Sequence, residues 1–321
     1  MSHVRFLMLV GLPGSGKSYY ANLLKEKFDN VHVFSSDELR LEMTGDENNQ
    51  NKNGEVFNEL HKRIKQCIRE NRDKSTLVIY DACNISYKRR MAFLRELKNY
   101  ECRKICMFIY KPYVECLADS EKRAQNGGRY VPEEVIDRMH KNIYVPYYFE
   151  GWDTILMRDY SKSDEPKSIP ELFYGENGLC KIPHDNPHHE FTIGDHCVAT
   201  MMNLIHSRSN YSDNRLILAG LLHDIGKRYT KSFIDSKGEK SETAHYYQHH
   251  LVGAYDAIEH IPKGHENERF EVANLIQYHM FPFFWNKEVN NNKVNDKYKK
   301  MWGERFYERI MLLHKADRLA H

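Results

Sequence analysis

The 321-residue chain carries 47 basic and 45 acidic side chains, so its overall charge says nothing about a polyanionic partner, and its length suits two domains of ordinary size. Seven cysteines without framework spacing fit a reducing cytoplasm better than secretion; Cys102 and Cys106 read as incidental. No signal peptide is read, because a first strand containing Arg5 starts almost at once, and no apolar run approaches the ~20 residues needed to span a membrane.

In chain order, the apolar run Val4 to Val10 predicts a strand, and Tyr19 to Lys27 a helix. Between them stands Gly11-Leu-Pro-Gly14-Ser15-Gly16-Lys17-Ser18. Strand, glycine-rich turn and helix N-terminus are the context of a Walker A phosphate loop. Its glycines let successive N–H groups face one anion, where the helix dipole adds about half a positive charge. Gly11, Gly14, Ser15 and Gly16 would cradle the phosphates, Lys17 would reach the β/γ-phosphates, and Ser18 would hold Mg²⁺. ATP and Mg²⁺ are the expected cofactors.

A second strand, Val31 to Phe34, runs into Ser35-Ser36-Asp37-Glu38-Leu39-Arg40. Asp37 then lies at a strand's carboxyl edge, where parallel sheets place their ligands; it is read as a general base beside Arg40, or else as a helix cap. The polar segment 44–54 reads as a mobile loop before a helix over 56–71. Strand Thr76 to Tyr80 leads to Asp81-Ala-Cys-Asn84, and a helix over 87–97 precedes a strand over 104–110. Arg123 and Arg129 flank Gly127-Gly128, a pattern suited to a lid over the γ-phosphate. A helix from Glu133 to about Asn142 and a strand from Asp153 to Met157 complete an α/β pattern with a parallel sheet.

The phosphate loop, the Asp37-Glu-Leu-Arg40 box, Asp81-x-x-Asn84 followed by Arg89-Arg90, and the arginines before Val131-Pro132 resemble, in that order, the kinase domain of phage-type polynucleotide 5′-kinases over about 4–157. The resemblance implies γ-phosphate transfer to a 5′-hydroxyl of RNA or DNA. It makes Lys17 and Asp81 active-site groups, Asp37 the base, Arg40 an acceptor-phosphate ligand and Arg123 the first lid arginine. The family spacing puts the second lid arginine near Gly127, where this chain offers Arg129 instead.

Residues 161–181, with Pro166, Pro170 and Gly175-Glu-Asn-Gly178, read as a linker between domains at 1–160 and 182–321. The histidines concentrate after residue 180. His188 and His189 read as surface residues or supports. His196 follows on a helix whose apolar face is read as Val198, Met201, Met202 and Ile205. An apolar helix ends at His223-Asp224-Ile225-Gly226-Lys227, placing two metal-ligand types where it stops. His249-His250, His279 and finally Asp317 each sit on or beside an amphipathic helix. Met280 to Trp285 reads as a packed corner or a stacking face for a base, and 290–300 as a solvated loop or a phosphate-backbone contact.

This order resembles the HD phosphohydrolase superfamily, an all-α fold, over about 184–321. The resemblance implies His196, His223, Asp224 and Asp317 as metal ligands, with His249 and His279 the extra pair of binuclear members. This chain has His250 where Glu is usual. Mn²⁺, Fe²⁺, Ni²⁺ or Co²⁺ suits such N/O ligands. Lys227 would hold a substrate phosphate. Together the halves suggest a cytoplasmic end-healing enzyme: a 5′-kinase fused to a phosphohydrolase acting on 2′,3′-cyclic, 2′- or 3′-phosphate ends, with a ligase as partner. Related fusions usually place the HD half first. A nucleoside kinase joined to a nucleotidase, or a kinase with a nucleotide-sensing HD module, are the competing readings.

Overall fold

The computed structural model describes residues 3–186, 190–207, 213–285 and 291–320, and the chain forms two compact units, Met1–Lys162 and Ser163–His321. His188, His189 and Asn290 lie outside the described residues.

The first unit runs β1 (Val4–Val10), α1 (Lys17–Lys27), β2 (Val31–Ser35), α2 (Ser36–Thr44), α3 (Asn53–Glu70), β3 (Thr76–Asp81), α4 (Tyr87–Glu96), β4 (Cys102–Tyr110), α5 (Tyr113–Gln125), α6 (Glu133–His140) and β5 (Thr154–Asp159). All five strands pair in parallel, in the order β2-β3-β1-β4-β5. The inner strands β1 and β3 are nearly continuous buried runs because helices cover both sheet faces, so no polar alternation is needed. Leu7, Leu9, Ile79 and Ile109 share one core cluster with Ala21 of α1. Helix α3 presents Val56, Leu60, Ile64, Cys67 and Ile68 as its buried stripe, spacings of one and two helical turns. Parallel pairing brings strand ends together: Ser35 stands in register with Asp81, and Val10 with Phe108. The loops that follow β1, β2 and β3 therefore share one sheet edge. Cys102 and Cys106 sit on β4, and the 44–54 segment is shorter than expected because α3 begins at Asn53.

The second unit contains α7 (Ile169–Tyr174), α8 (Ile193–His206), α9 (Asn214–Leu222), α10 (Lys227–Thr230), β6 (Lys231–Ile234), β7 (Lys240–Tyr246), α11 (His249–Asp256), α12 (Glu266–Tyr278), α13 (Phe281–Trp285), α14 (Asn291–Trp302) and α15 (Glu304–Arg318). It is not wholly helical: β6 and β7 form an antiparallel hairpin. Residues 161–181, read from composition as linker, hold α7 and a short 3₁₀ turn, with Phe173 and Leu179 buried. The tract read as a solvated loop is helix α14, held against α15 by Trp302 and Phe306. On α8 the buried residues are Ile193, His196, Cys197, Thr200 and Leu204, whereas Met202 and Ile205 are exposed, so the expected apolar face is rotated. Trp285 is buried and stacks on both Tyr298 and Tyr307, so the 280–285 segment is a packed corner; its tryptophan has no face left for a base.

Candidate active sites

In the first unit the phosphate loop is shaped by two glycines with positive φ. Gly14 sits at φ 80°, and a Cβ there would collide with the Cys116 carbonyl. Gly16, at φ 98°, caps α1 and lies under the Tyr160 ring, 3.1 Å from where a Cβ would stand. Only glycine adopts this backbone without strain, and the result aims the α1 N-terminus at the loop. Gly11 likewise leaves no room for a Cβ, which would stand 2.7 Å from Ser15 Oγ. Lys17 is buried and donates to the Leu12 carbonyl at 2.7 Å. Ser18 Oγ donates to Asp81 Oδ2 at 2.7 Å, joining the two groups that would share a Mg²⁺ ion. Burial raises the Asp81 carboxyl above its ordinary range, against the pull of Lys17 and the Ser18 bond.

Asp37 lies in the first turn of α2, and Ser35, not Asp37, is the cap: its side chain accepts from the Asp37 and Glu38 N–H groups. The Asp37 carboxylate is thus left for other partners. Arg40 NH1 donates to Oδ1 at 2.7 Å, and Arg129 NH1 reaches Oδ2. Arg40 is buried, and it also bonds the Glu47 carbonyl and Asn53 Oδ1, so it fixes the turn leading into α3. Arg129 also donates to Asn48 Oδ1 at 3.3 Å. Arg123 is exposed, and its Nε donates to the Arg129 carbonyl at 3.0 Å. Of the two arginines flanking the glycine pair, Arg129 is therefore the one brought to Asp37. The loop after β3 is held by Asn84, at φ 47°, which donates to the Leu9 carbonyl, and by the fully buried Arg90–Glu150 pair, whose NH1 bonds the Asn84 carbonyl.

In the second unit six side chains converge from α8, the end of α9, α11, the end of α12 and α15. His196 and His223 Nε2 lie 3.2 Å apart; Asp317 Oδ1 is 3.0 Å from the first and 3.6 Å from the second. Asp224 Oδ2 stands 3.4 and 3.3 Å from the same two nitrogens, while its Oδ1 faces His249 at 3.2 Å and His279 at 3.8 Å. His196, His223 and Asp317 form one ligand-ready trio, and His223, Asp224 and His279 another.

Each of the four ring Nδ1 atoms lies at hydrogen-bond distance from a backbone carbonyl: His196 to Ala320, His223 to Gly220, His249 to Tyr246 and His279 to Ile276. With the proton on Nδ1, every Nε2 points its lone pair inward, the arrangement metal-binding histidines require. Neutral rings then place two lone pairs 3.2 Å apart beside two carboxylates, and Asp224 Oδ1 and His249 Nε2 have no hydrogen-bond partner. Buried acceptors crowded in this way are satisfied by a cation, and the N/O donor set suits a divalent transition metal. Burial pushes His279 down to about 3, in keeping with a neutral ring.

Two participants escaped the sequence reading. His184 is buried with Nε2 3.2 Å from Lys227 Nζ, and Tyr246 donates from its hydroxyl to the His184 carbonyl. His184 sits on an irregular segment outside any helix or strand, with an isolated bridge from Pro183 to Thr192 beside it, so no helical period flags it. No described helix is long and apolar enough to cross a membrane.

Residues 6–146 match the AAA domain family, and residues 193–321 match the HD domain family. No curated protein matches the sequence. Among solved structures, the chain is similar to the Pnkp1/Rnl/Hen1 RNA repair complex at 25% identity, covering 42% of this chain and 42% of that one, with a TM-score of 0.36. A second Pnkp1/Rnl/Hen1 complex is 21% identical over 52% of this chain and 50% of that one, TM-score 0.34. A gluconokinase from Sinorhizobium meliloti 1021 is 13% identical over 48% of this chain and 82% of that one, TM-score 0.32. The chain thus spans half or less of the RNA-repair chains it matches. Its two halves are a P-loop, kinase-like AAA domain and, after it, an HD domain.

Proposed function

We propose that this chain is a bifunctional nucleic-acid end-healing enzyme. Its first unit would phosphorylate a 5′-hydroxyl from ATP, and its second would remove phosphate from 2′,3′-cyclic, 2′- or 3′-phosphate ends. The observation that carries the reading is one chain holding both a phosphate loop with an arginine-bracketed carboxylate on the acceptor side and a buried His/Asp cluster whose lone pairs all face inward.

In the kinase half, the loop amides and Lys17 bind and orient the triphosphate, and Ser18 with Asp81 would hold a Mg²⁺ ion, which would supply charge neutralisation there. Asp37 takes the proton from the attacking hydroxyl. The acceptor must displace Arg129 from Oδ2 to reach it, which frees that guanidinium for the developing phosphoryl charge. Arg40, its NH1 and NH2 already committed, orients Asp37 and contributes its charge to the acceptor side. Arg123 acts through Arg129, whose carbonyl it holds.

In the HD half, His196, His223, Asp224 and Asp317 would hold one divalent ion, with His249 and His279 completing a second position. The bound metal supplies Lewis acidity toward phosphoryl oxygens and an activated water. The carbonyl bonds to Nδ1 keep the rings oriented, and Lys227 binds a substrate phosphate. A ligase is the partner such healed ends call for.

Labelled ATP offered with 5′-hydroxyl RNA, 5′-hydroxyl DNA and free nucleosides side by side tests the substrate class. Label on the oligonucleotides and not on the nucleosides is expected. Label on the nucleosides alone overturns end healing in favour of small-molecule metabolism.

A further inference from the structure

Lys227 is the charged group beside the cluster that is not among the candidate metal ligands. It opens α10, is buried, and has its ammonium 2.6 Å from Asp224 Oδ2 and 3.2 Å from His184 Nε2, with the Tyr246 ring 5.3 Å away. An ammonium only donates, so His184 Nε2 must be the acceptor in this contact. That requires the proton on the other ring nitrogen. His184 Nδ1 lies 2.8 Å from the Phe191 carbonyl, a bond that puts it there. Tyr246 holds the segment from the opposite side: its hydroxyl donates to the His184 carbonyl, and its own carbonyl accepts from His249 Nδ1.

We propose that His184 is a positioning residue that holds the Lys227 ammonium beside the His/Asp cluster for recognition of a substrate phosphate. The inference rests on the reading of the second unit as a phosphohydrolase. Asp224 is shared among Lys227, His196, His223 and His249. As a metal ligand it has less charge to offer Lys227, and His184 is the partner that keeps the ammonium in place. A competing role is support of the cluster itself, since the His184 ring stands edge-on to His196 at 5.5 Å. The two roles separate on metal content.

Inorganic phosphate titrated by calorimetry into the full chain loaded with Mn²⁺, with metal content measured on the same samples, tests the proposal. Hydrogen bonds to charged groups are worth enough that His184→Ala should weaken phosphate binding about tenfold while keeping its metal. His184→Leu, which retains bulk without the acceptor, should match it, and His184→Gln should recover to within about threefold. Lys227→Met should lose as much as Lys227→Met combined with His184→Ala, because both act through one ammonium. Unchanged phosphate binding in the His184 variants, additive losses, or a fall in their metal content overturns the proposal. If Lys227→Met binds phosphate like the parent, Lys227 is not the recognition group and the proposal falls with it. A parent that holds metal and binds phosphate but hydrolyses no phosphate ester instead overturns the phosphohydrolase reading, and leaves the His184–Lys227 pairing standing as a binding device.

Discussion

The two halves of the molecule hold their charged chemistry in opposite ways. In the first unit the anion site is one contiguous turn after β1, built from backbone amides and shaped by Gly14 and Gly16. In the second, the converging polar atoms belong to side chains from five places between His196 and Asp317, and the backbone contributes only the carbonyl that fixes each ring. A site made of backbone fails when its φ angles are forbidden. A site made of side chains fails one ligand at a time.

The largest expected effect separates the halves outright. Asp37→Ala should lower 5′-kinase turnover by about 10²–10⁴-fold, the usual loss for a positioned general base, and leave metal content and phosphate-ester hydrolysis unchanged. Kinase activity within threefold of the parent would remove Asp37 from that role. In the backbone-built site, Gly14→Ala is the next variant to make. Its φ of 80° and the Cys116 carbonyl in the way of a Cβ should cost about 1–3 kcal/mol and weaken nucleotide binding, read by thermal melting with and without ATP. A variant that melts and binds ATP like the parent would show that the loop does not depend on this conformation. Smaller still is Arg123→Ala. Because this exposed arginine touches the Arg129 carbonyl and not Asp37, turnover should fall by less than for Arg129→Ala, with ATP affinity nearly intact. If Arg123→Ala weakens only ATP binding, Arg123 is a nucleotide clamp.

The same contrast explains what could be read from the chain. Strands β1, β3 and β4 are long apolar runs, and the phosphate loop is a contiguous motif, so sheet and loop were legible. The buried His/Asp cluster was reachable because His223-Asp224-Ile-Gly-Lys227 marks its centre and its other members follow in order. Hidden features lacked a local period. The β6–β7 hairpin is mostly half-buried and polar, with Lys240-Ser-Glu-Thr as half of one strand. Helix α14 is rich in Asn and Lys and is stabilised by tertiary contacts of Tyr298 and Trp302, which sequence propensity does not register. On α8 both faces carry apolar residues, so Met202 and Ile205 gave a false stripe while His196 and Thr200 lie in the core. The Arg129–Asp37 contact joins residues 92 apart, and His184 meets Lys227 across 43, distances at which spacing carries no signal.

The His/Asp cluster of the second unit is expected to hold metal independently of the phosphate-loop site. Metal content per chain, measured for the parent, His279→Ala and Asp224→Ala alongside kinase activity, tests it most directly. Two ions in the parent, one in His279→Ala and none in Asp224→Ala are expected, because Asp224 lies within reach of all four histidines, with kinase turnover the same in all three. An Asp224→Ala variant that folds and keeps the parent's full metal content would contradict the account.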